Sequence, residues 1–183
     1  LVDAETAAWV RTAIKTLSAQ FESVDPVSIA DGDFLAWRTT FMVCQAAEVW
    51  QAHNEWILAT KPSFGPGVKQ RFEIAASITE EQHAPARAKR LEISKRILDL
   101  IGDDGVIVLP TSPGPAPLRD ADEASLNDFR MAALDLLSGA GLAGLPQLNM
   151  PAGIVDGGPV GLSIVGGRNA DAALLAIAQA GPF

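Results

Sequence analysis

Two hydroxyl side chains, Thr111 and Ser112, follow a short apolar run at a position where many α/β proteins bind ligands. The run, Val106–Leu109, is bounded by glycine and proline, which is typical of a short buried strand. Because ligands in open α/β sheets bind beyond the carboxyl ends of strands, we identify Thr111, Ser112 and Pro113 as candidate substrate-binding residues. A proline-stiffened surface loop would have the same composition, and the residue types alone leave both alternatives open.

No nucleophile is paired with a base at a recognisable spacing. The sequence lacks a Gly-x-Ser-x-Gly elbow, and both histidines, His53 and His83, fall in segments of helical periodicity. A general base must lie within hydrogen-bond reach of the proton that it takes, and the spacing brings neither histidine to a serine. Cys44 lies in the apolar stripe of a predicted helix, which favours a buried, unreactive thiol. We therefore predict no catalytic residue in this chain.

The sequence also predicts neither a metal site nor a cofactor. No group of Cys, His and Asp residues has the ligand spacing of zinc or iron, and no Asp-rich loop matches a calcium site. Gly139–Gly144 contains a G-x-G-x-x-G string, but this string follows a predicted helix and precedes a strand. The dinucleotide-binding fingerprint requires the reverse order, so we exclude that interpretation.

Composition and charge exclude two classes of partner. The 183 residues carry a net charge of −8 and a sequence pI of about 4.7, whereas nucleic-acid binding requires a basic surface. No apolar run approaches the roughly 20 residues of a membrane span, and no signal peptide is recognisable. The single cysteine excludes an internal disulfide and fits a reducing compartment, so we expect a cytoplasmic protein.

The spacing of apolar residues predicts an α/β domain with a sheet covered by helices. A second apolar run, Val160–Val165, is nearly continuous rather than alternating, as in strands that are buried on both faces. Helical periodicity predicts six helices, over residues 3–21, 33–59, 68–77, 79–101, 125–137 and 169–178. Met150–Gly158 is predicted to be a hairpin-like link into the second strand.

The predicted helix over residues 79–101 begins at a capping-box pattern, Thr79–Gln82. Its inward residues are expected to be Ala84, Ala88, Leu91 and Leu98. Pro85 removes one backbone hydrogen bond, so we expect a bend there or a start nearer His83. A second capping box is predicted at Ser125–Asp128, and Asn169 is expected to cap the last helix. The basic residues of the 79–101 segment are expected to form a solvated face: Arg87, Lys89, Arg90, Lys95 and Arg96.

Three segments together resemble the C-terminal part of the amidase signature family: Asp103–Pro113, Leu142–Gly153 and Gly158–Gly167. Their order, their separation and the closing helical segment Asp171–Ala178 are all similar to that family. The upstream helical region resembles the middle of bacterial amidases close to the indoleacetamide hydrolase type, on these residues: Glu48, Trp50–Trp56, Phe64–Pro66 and Arg71–Phe72.

The resemblance implies a mixed sheet covered by helices on both faces, and the hydrolysis of amides by a serine nucleophile. In that family a second serine, in a cis peptide, and a lysine base complete the catalytic set, N-terminal to the segments matched here. No lysine of this chain has that context. We therefore expect residues 1–183 to be the C-terminal part of an amidase signature domain, with the N-terminal catalytic part absent. The loop at Thr111, Ser112 and Pro113 is expected, from the resemblance, to line the acyl pocket.

Two functions from different classes are compatible with these observations. In the first, the chain is the scaffold and substrate-pocket portion of a serine-dependent amidase, which hydrolyses a carboxylic amide to an acid and ammonia or an amine and is inert alone. In the second, it is a non-catalytic amidase-like module for binding or assembly. The expected partners are a small-molecule amide and the N-terminal half of the same protein, with a homo-oligomer left open. Trp37, Trp50 and Trp56 are either core residues, which is favoured, or part of the pocket boundary.

Overall fold

The structure, a computed structural model, describes residues 1–181, and Pro182 and Phe183 lie outside the described residues. The described chain contains six α-helices and three β-strands. The helices are α1 (Ala4–Leu17), α2 (Phe34–Thr60), α3 (Pro66–Ser77), α4 (Glu80–Ile101), α5 (Glu123–Ala143) and α6 (Asp171–Ala180), and the strands are β1 (Val106–Pro110), β2 (Gln147–Val155) and β3 (Gly158–Gly166). None of these six helices has the combined length and apolar character needed to cross a membrane.

The three strands form one antiparallel sheet in which β3 lies between β1 and β2. Both strands that the sequence predicts are present. The segment expected as a link is instead mostly strand β2, which joins β3 through a two-residue turn at Asp156 and Gly157, both with positive φ. Pro151 and Gly153 concealed this strand in the sequence, since they flank a bulge where the β2–β3 register shifts.

Helices cover both faces of the sheet, which confirms the predicted α/β class. On one face, β1 and β3 contribute Ile107, Leu109 and Val165 to an apolar cluster with α2, α4 and α5. On the other face, Leu162 and Ile164 of β3 pack against α1 and α6. Both of these leucine and isoleucine side chains are fully buried. Alternate residues of β3 point to opposite faces, so a strand with two covered faces must be apolar throughout.

Helix α4 buries a different face from the one that the sequence predicts. Its buried side chains are Ala86, Ile93, Ser94, Ile97 and Ile101. Ala84, Ala88 and Leu91 are exposed, which corrects the expectation, whereas Leu98 packs against the core as expected. The isoleucines recur every four residues and remove much more apolar surface from water than alanines do. Their burial therefore determines how the helix is rotated.

Pro85 lies inside an unbroken α4, which begins at Glu80 rather than near His83. The backbone N–H of Thr79 donates to the side chain of Gln82 at 3.0 Å, as the predicted capping box requires. Pro85 is exposed and lies in the second turn, so the helix loses one backbone hydrogen bond without a steric break in the core.

Helix α5 begins two residues earlier and ends later than the sequence predicts. Its cap is Asp122, which accepts hydrogen bonds from the backbone N–H and the hydroxyl of Ser125, both at 2.8 Å. These bonds lower the pKa of the Asp122 carboxyl. The helix continues through Gly139, where the missing side chain lets the ring of Trp37 pack on the helix backbone.

The last helix, α6, is not capped by Asn169, which corrects the expectation. The helix begins at Asp171, so Ala170 occupies the N-cap position.

Basic side chains of α4 link the helix to other elements as well as facing solvent. All five predicted members of the solvated face pair with an acidic residue: Arg87 with Glu80, Lys89 with Glu92, Arg90 with Glu48, Lys95 with Asp99 and Arg96 with Asp31. Exposed ion pairs add little stability by themselves. Arg90 also donates from Nε to the backbone oxygen of Leu142 at 2.8 Å, and Arg96 donates to the backbone oxygen of Ile29. These two contacts fix α4 against its neighbours.

The orientation of α4 is tested by truncating one side chain on each face. Ile97 is 2% exposed and Leu91 is 72% exposed. We expect Ile97→Ala to lower the free energy of unfolding by about 2–5 kcal/mol, because it leaves a cavity in the core. Leu91→Ala, the matched control on the same helix, should change it by about 0.5 kcal/mol or less. Urea unfolding followed by circular dichroism measures both, and equal losses would contradict the observed rotation.

Candidate functional site

Thr111 lies just past the end of β1 and contacts both other strands. Its backbone N–H donates to the oxygen of Gly161 at 3.0 Å, which extends the β1–β3 pairing by one residue. Its hydroxyl oxygen lies 2.9 Å from Ser163 Oγ of β3 and also bonds Asn149 Oδ1 of β2. We refer to Thr111, Asn149 and Ser163 as the polar triplet. The structure thus places one predicted site residue at a junction of all three strands.

Strand register brings the polar triplet together. Ser163 lies opposite Asn149 in one ladder and opposite Leu109 in the other. Because alternate residues of a strand share a face, Thr111 points to the same face as Leu109. Ser163 is fully buried, whereas Asn149 is exposed. The triplet therefore runs from the interior of the protein to its surface, next to the apolar cluster that covers this face.

The absence of a side chain at Gly161 leaves the space in which the triplet forms. A Cβ added there would overlap Asn149 Oδ1 and lie 2.9 Å from Thr111 Oγ1. Gly161 is buried in the central strand, so a larger residue could not turn toward solvent. The position requires glycine for close approach rather than for backbone flexibility.

Ser112 and Pro113 hold the loop in place beside the triplet. The hydroxyl of Ser112 donates to the backbone oxygen of Gly114 at 2.6 Å, within its own turn. Pro113 is buried, and its backbone oxygen accepts a hydrogen bond from the N–H of Asp3 at 2.9 Å. The structure therefore gives Thr111 different neighbours from Ser112 and Pro113. Contact of all three with a substrate stays a prediction.

The other groups that the sequence analysis considered do not form a catalytic pair within residues 1–181. His83 Nδ1 lies 3.0 Å from a guanidinium nitrogen of Arg87, and the ring of His53 packs edge-on against Phe72. Cys44 is buried, and burial raises the pKa of its thiol, as expected for an unreactive cysteine. No group of three or more potential metal ligands occurs in the same range.

Three of the four tryptophans were considered as a pocket boundary, and they differ in their surroundings. Trp37 is buried in the core. Trp50 lines a groove of about 350 Å³ that is formed by α2, α3 and the loop between them. Trp56 is half exposed and packs edge-on against Phe64, another residue of that groove. The loop at residues 111–113 contributes nothing to the lining of this groove.

A small cavity of about 20 Å³ lies in the core beside Trp37. Asp135 of α5 lines it and pairs with Arg38 at 2.8 Å. The second carboxylate oxygen of Asp135 and the hydroxyl of Ser138 are buried without a hydrogen-bond partner among the described residues. A cavity of this size holds about one water molecule. Trp37 is therefore a core residue rather than the wall of a ligand site.

Sequence reasoning missed two members of the polar triplet, Asn149 and Ser163. A signal for Asn149 was present, because Gln147, Leu148, Asn149 and Met150 alternate between polar and apolar residues as a half-exposed strand does. No comparable signal marked Ser163, which is one polar residue within an apolar run. Its importance follows only from the pairing of the strands.

Comparison with known proteins identifies the family. The family model described as Amidase matches residues 1–175, so the chain belongs to the amidase family, as the signature segments indicated. Amidase 1 of Arabidopsis thaliana is 36% identical over 143 residues, which cover 78% of this chain and 34% of that protein. The translocon at the outer membrane of chloroplasts 64 of Pisum sativum is 30% identical over 131 residues, or 72% of this chain and 22% of that protein. The chain thus spans about a third of these relatives or less.

Solved structures share the fold. Kluyveromyces lactis allophanate hydrolase superimposes with a TM-score of 0.78 at 22% identity, over 97% of this chain and 29% of that chain. A crystal structure described as that of an amidase gives a TM-score of 0.74 at 24% identity, over 97% of this chain and 41% of that chain. These similarities show that the arrangement of helices and sheet is that of amidase-family proteins.

The requirement for glycine at position 161 is testable with a matched pair of substitutions. Gly161→Ala should displace Asn149 or Thr111 and lower the free energy of unfolding by about 1–3 kcal/mol. Gly167→Ala is the control, because a Cβ there would find its nearest neighbour, Ile101 Cγ2, at 3.9 Å. We expect it to change stability by about 0.5 kcal/mol or less. Chemical denaturation measures both, and a neutral Gly161→Ala would refute the close approach.

Proposed function

We propose that this chain supplies the scaffold and part of the substrate pocket of a serine-dependent amidase that hydrolyses a carboxylic amide to an acid and ammonia or an amine. The observation that carries the proposal is the match of the amidase family over residues 1–175, together with a sheet that ends in the polar triplet. Thr111, Ser112 and Pro113 are the proposed substrate contacts, since the loop that follows β1 resembles the loop that lines the acyl pocket in the amidase signature family.

The chemistry of amide hydrolysis requires more than the described residues provide. Attack on the carbonyl needs a nucleophile, a base and oxyanion donors within hydrogen-bond reach of one another. Ser112 donates its proton to Gly114 within its own loop, and neither His53 nor His83 has a serine partner in residues 1–181. We therefore assign the nucleophilic serine and the lysine base to an N-terminal part of the domain, outside the 183 residues.

Substrate, location and assembly are finer parts of the same proposal. We retain the indoleacetamide hydrolase type as the substrate hypothesis, on the segment Trp50–Trp56 and its neighbours. We also retain a cytoplasmic location, which the single buried cysteine Cys44 supports, and a homo-oligomer as an open alternative to a monomer.

The proposal that the catalytic residues lie outside this chain is tested by comparing two polypeptides. The longer protein that carries these residues should hydrolyse at least one member of a panel containing aliphatic amides, phenylacetamide and indole-3-acetamide. The isolated 183-residue chain should release no ammonia or amine above the buffer rate, because it lacks the attacking group. Ammonia release and product chromatography measure both. Turnover by the isolated chain would contradict the proposal, and loss of that turnover in Ser112→Ala would make Ser112 the nucleophile.

A second candidate function is a non-catalytic module that binds or assembles with another chain. It is favoured by one observation: a relative 30% identical to this chain is named as a component of a chloroplast translocon. If this alternative holds, the longer protein should lack the two catalytic serines and the lysine base that the amidase signature family carries N-terminal to these segments. It should then hydrolyse no amide in the same assay, and light scattering should detect a complex with another chain. An intact catalytic segment with turnover excludes the alternative.

A further inference from the structure

We propose that Asn149 is a substrate-binding residue that presents its two N–H donors to an oxygen acceptor of the bound amide, and that Ser163 fixes this orientation through Thr111. The inference rests on the proposed function, because it names a further contact within the same pocket. The question is whether the N–H group or the oxygen of the Asn149 carboxamide faces outward. The answer determines whether the surface of the site offers a hydrogen-bond donor or an acceptor.

The orientation begins with the buried hydroxyl of Ser163. Ser163 is fully buried, and within residues 1–181 its hydrogen-bond partner is Thr111 Oγ1, at 2.9 Å. A buried hydroxyl proton without an acceptor costs free energy, whereas a hydroxyl oxygen tolerates an unused lone pair more readily. Ser163 is therefore the donor of this hydrogen bond and Thr111 is the acceptor.

The hydrogen bond from Ser163 also fixes the roles of Thr111 and Asn149 in the second hydrogen bond. A hydroxyl has a single proton, and the Thr111 oxygen already accepts from Ser163. The Thr111 proton is thus directed to Asn149, where it meets the carboxamide oxygen Oδ1. If the carboxamide were rotated by half a turn, its N–H group would face Thr111, and the proton of either Thr111 or Ser163 would have no acceptor within the triplet.

The consequence is an outward-facing donor at the edge of the site. With Oδ1 held by Thr111, the Nδ2 group of Asn149 points away from the triplet, and no partner for it lies among residues 1–181. Asn149 is exposed and adjoins the loop that begins at Thr111. Two N–H donors in this position fit a carbonyl or carboxylate oxygen and disfavour a cationic group. Both the amide substrate and its acid product carry such an oxygen.

The Asn149→Asp substitution isolates this property. Aspartate has the same shape and keeps an oxygen for Thr111, but it replaces the outward N–H group with a carboxylate oxygen. The control is Asn127→Asp, which adds the same charge at an exposed asparagine in α5. In the longer protein, Asn149→Asp should raise KM for phenylacetamide by about 10- to 100-fold, because a lost donor is replaced by a repelling acceptor. Asn127→Asp should leave KM unchanged.

A second pair of variants tests the role of Thr111 as the positioning residue for Asn149. Thr111→Val keeps the shape but removes the hydroxyl, so it should raise KM by roughly threefold to tenfold. Thr111→Ser restores the hydroxyl and should recover most of that loss. If Thr111 has a purely structural role, Thr111→Val should have a lower melting temperature, but Thr111→Val and Thr111→Ser should have the same KM.

The outcomes separate this inference from the proposed function. If the longer protein hydrolyses phenylacetamide and Asn149→Asp leaves KM unchanged, or raises it no more than Asn127→Asp does, the inference is overturned while the function stands. If the protein hydrolyses no amide, the proposed function fails, and calorimetric titration with phenylacetate decides the inference. Weaker binding by Asn149→Asp than by Asn127→Asp supports an outward donor; equal binding, or none by the unsubstituted protein, overturns it.

Discussion

The burial of β3 on both faces and along both sides is the constraint on which the rest of the structure depends. Residues 160–166 of this strand are all buried. Backbone N–H and C=O groups that water cannot reach must be paired within the protein, and β1 and β2 provide the partners. A shift of one residue would move Leu162 and Ile164 to the opposite face. The same shift would separate Ser163 from Thr111, so the packing of the core also sets the geometry of the site.

The sequence predicts those parts of the fold that depend on local pattern. Continuous apolar runs identify β1 and β3. Helical periodicity locates the helix ends to within about four residues, except that α5 ends at Ala143 rather than at residue 137. The rotation of α4 could not be predicted, because alanine and isoleucine both count as apolar although they bury very different areas. Strand β2 was missed because Pro151 and Gly153 resemble a turn when their pairing with β3 is unknown. Thr111 was found from its place after a strand, whereas its contacts with Asn149 and Ser163 depend on strand register.

Helices α4 and α3 differ in how many of their side chains are buried against the rest of the protein. Helix α4 is held against its neighbours by four buried apolar residues and by guanidinium contacts to backbone oxygens. Helix α3 has one buried side chain among those described, Ala75, and packs on α2. Segments with few buried contacts open locally at low free energy. Helix α3, which bounds the groove, is therefore expected to be less rigid than the sheet that carries the polar triplet.

The prolines in the outer strands affect how the sheet can grow. Within residues 1–181, β1 and β2 each have one side that pairs with no other strand. Exposed strand sides are templates for aggregation, and natural proteins protect them with prolines, bulges and short lengths. Strand β1 ends at Pro110 after five residues, and β2 is interrupted by Pro151 and the adjoining bulge. Only the four residues Gln147–Met150 offer an uninterrupted template on the β2 side, so indiscriminate stacking of copies into fibrils is disfavoured by the strand geometry itself.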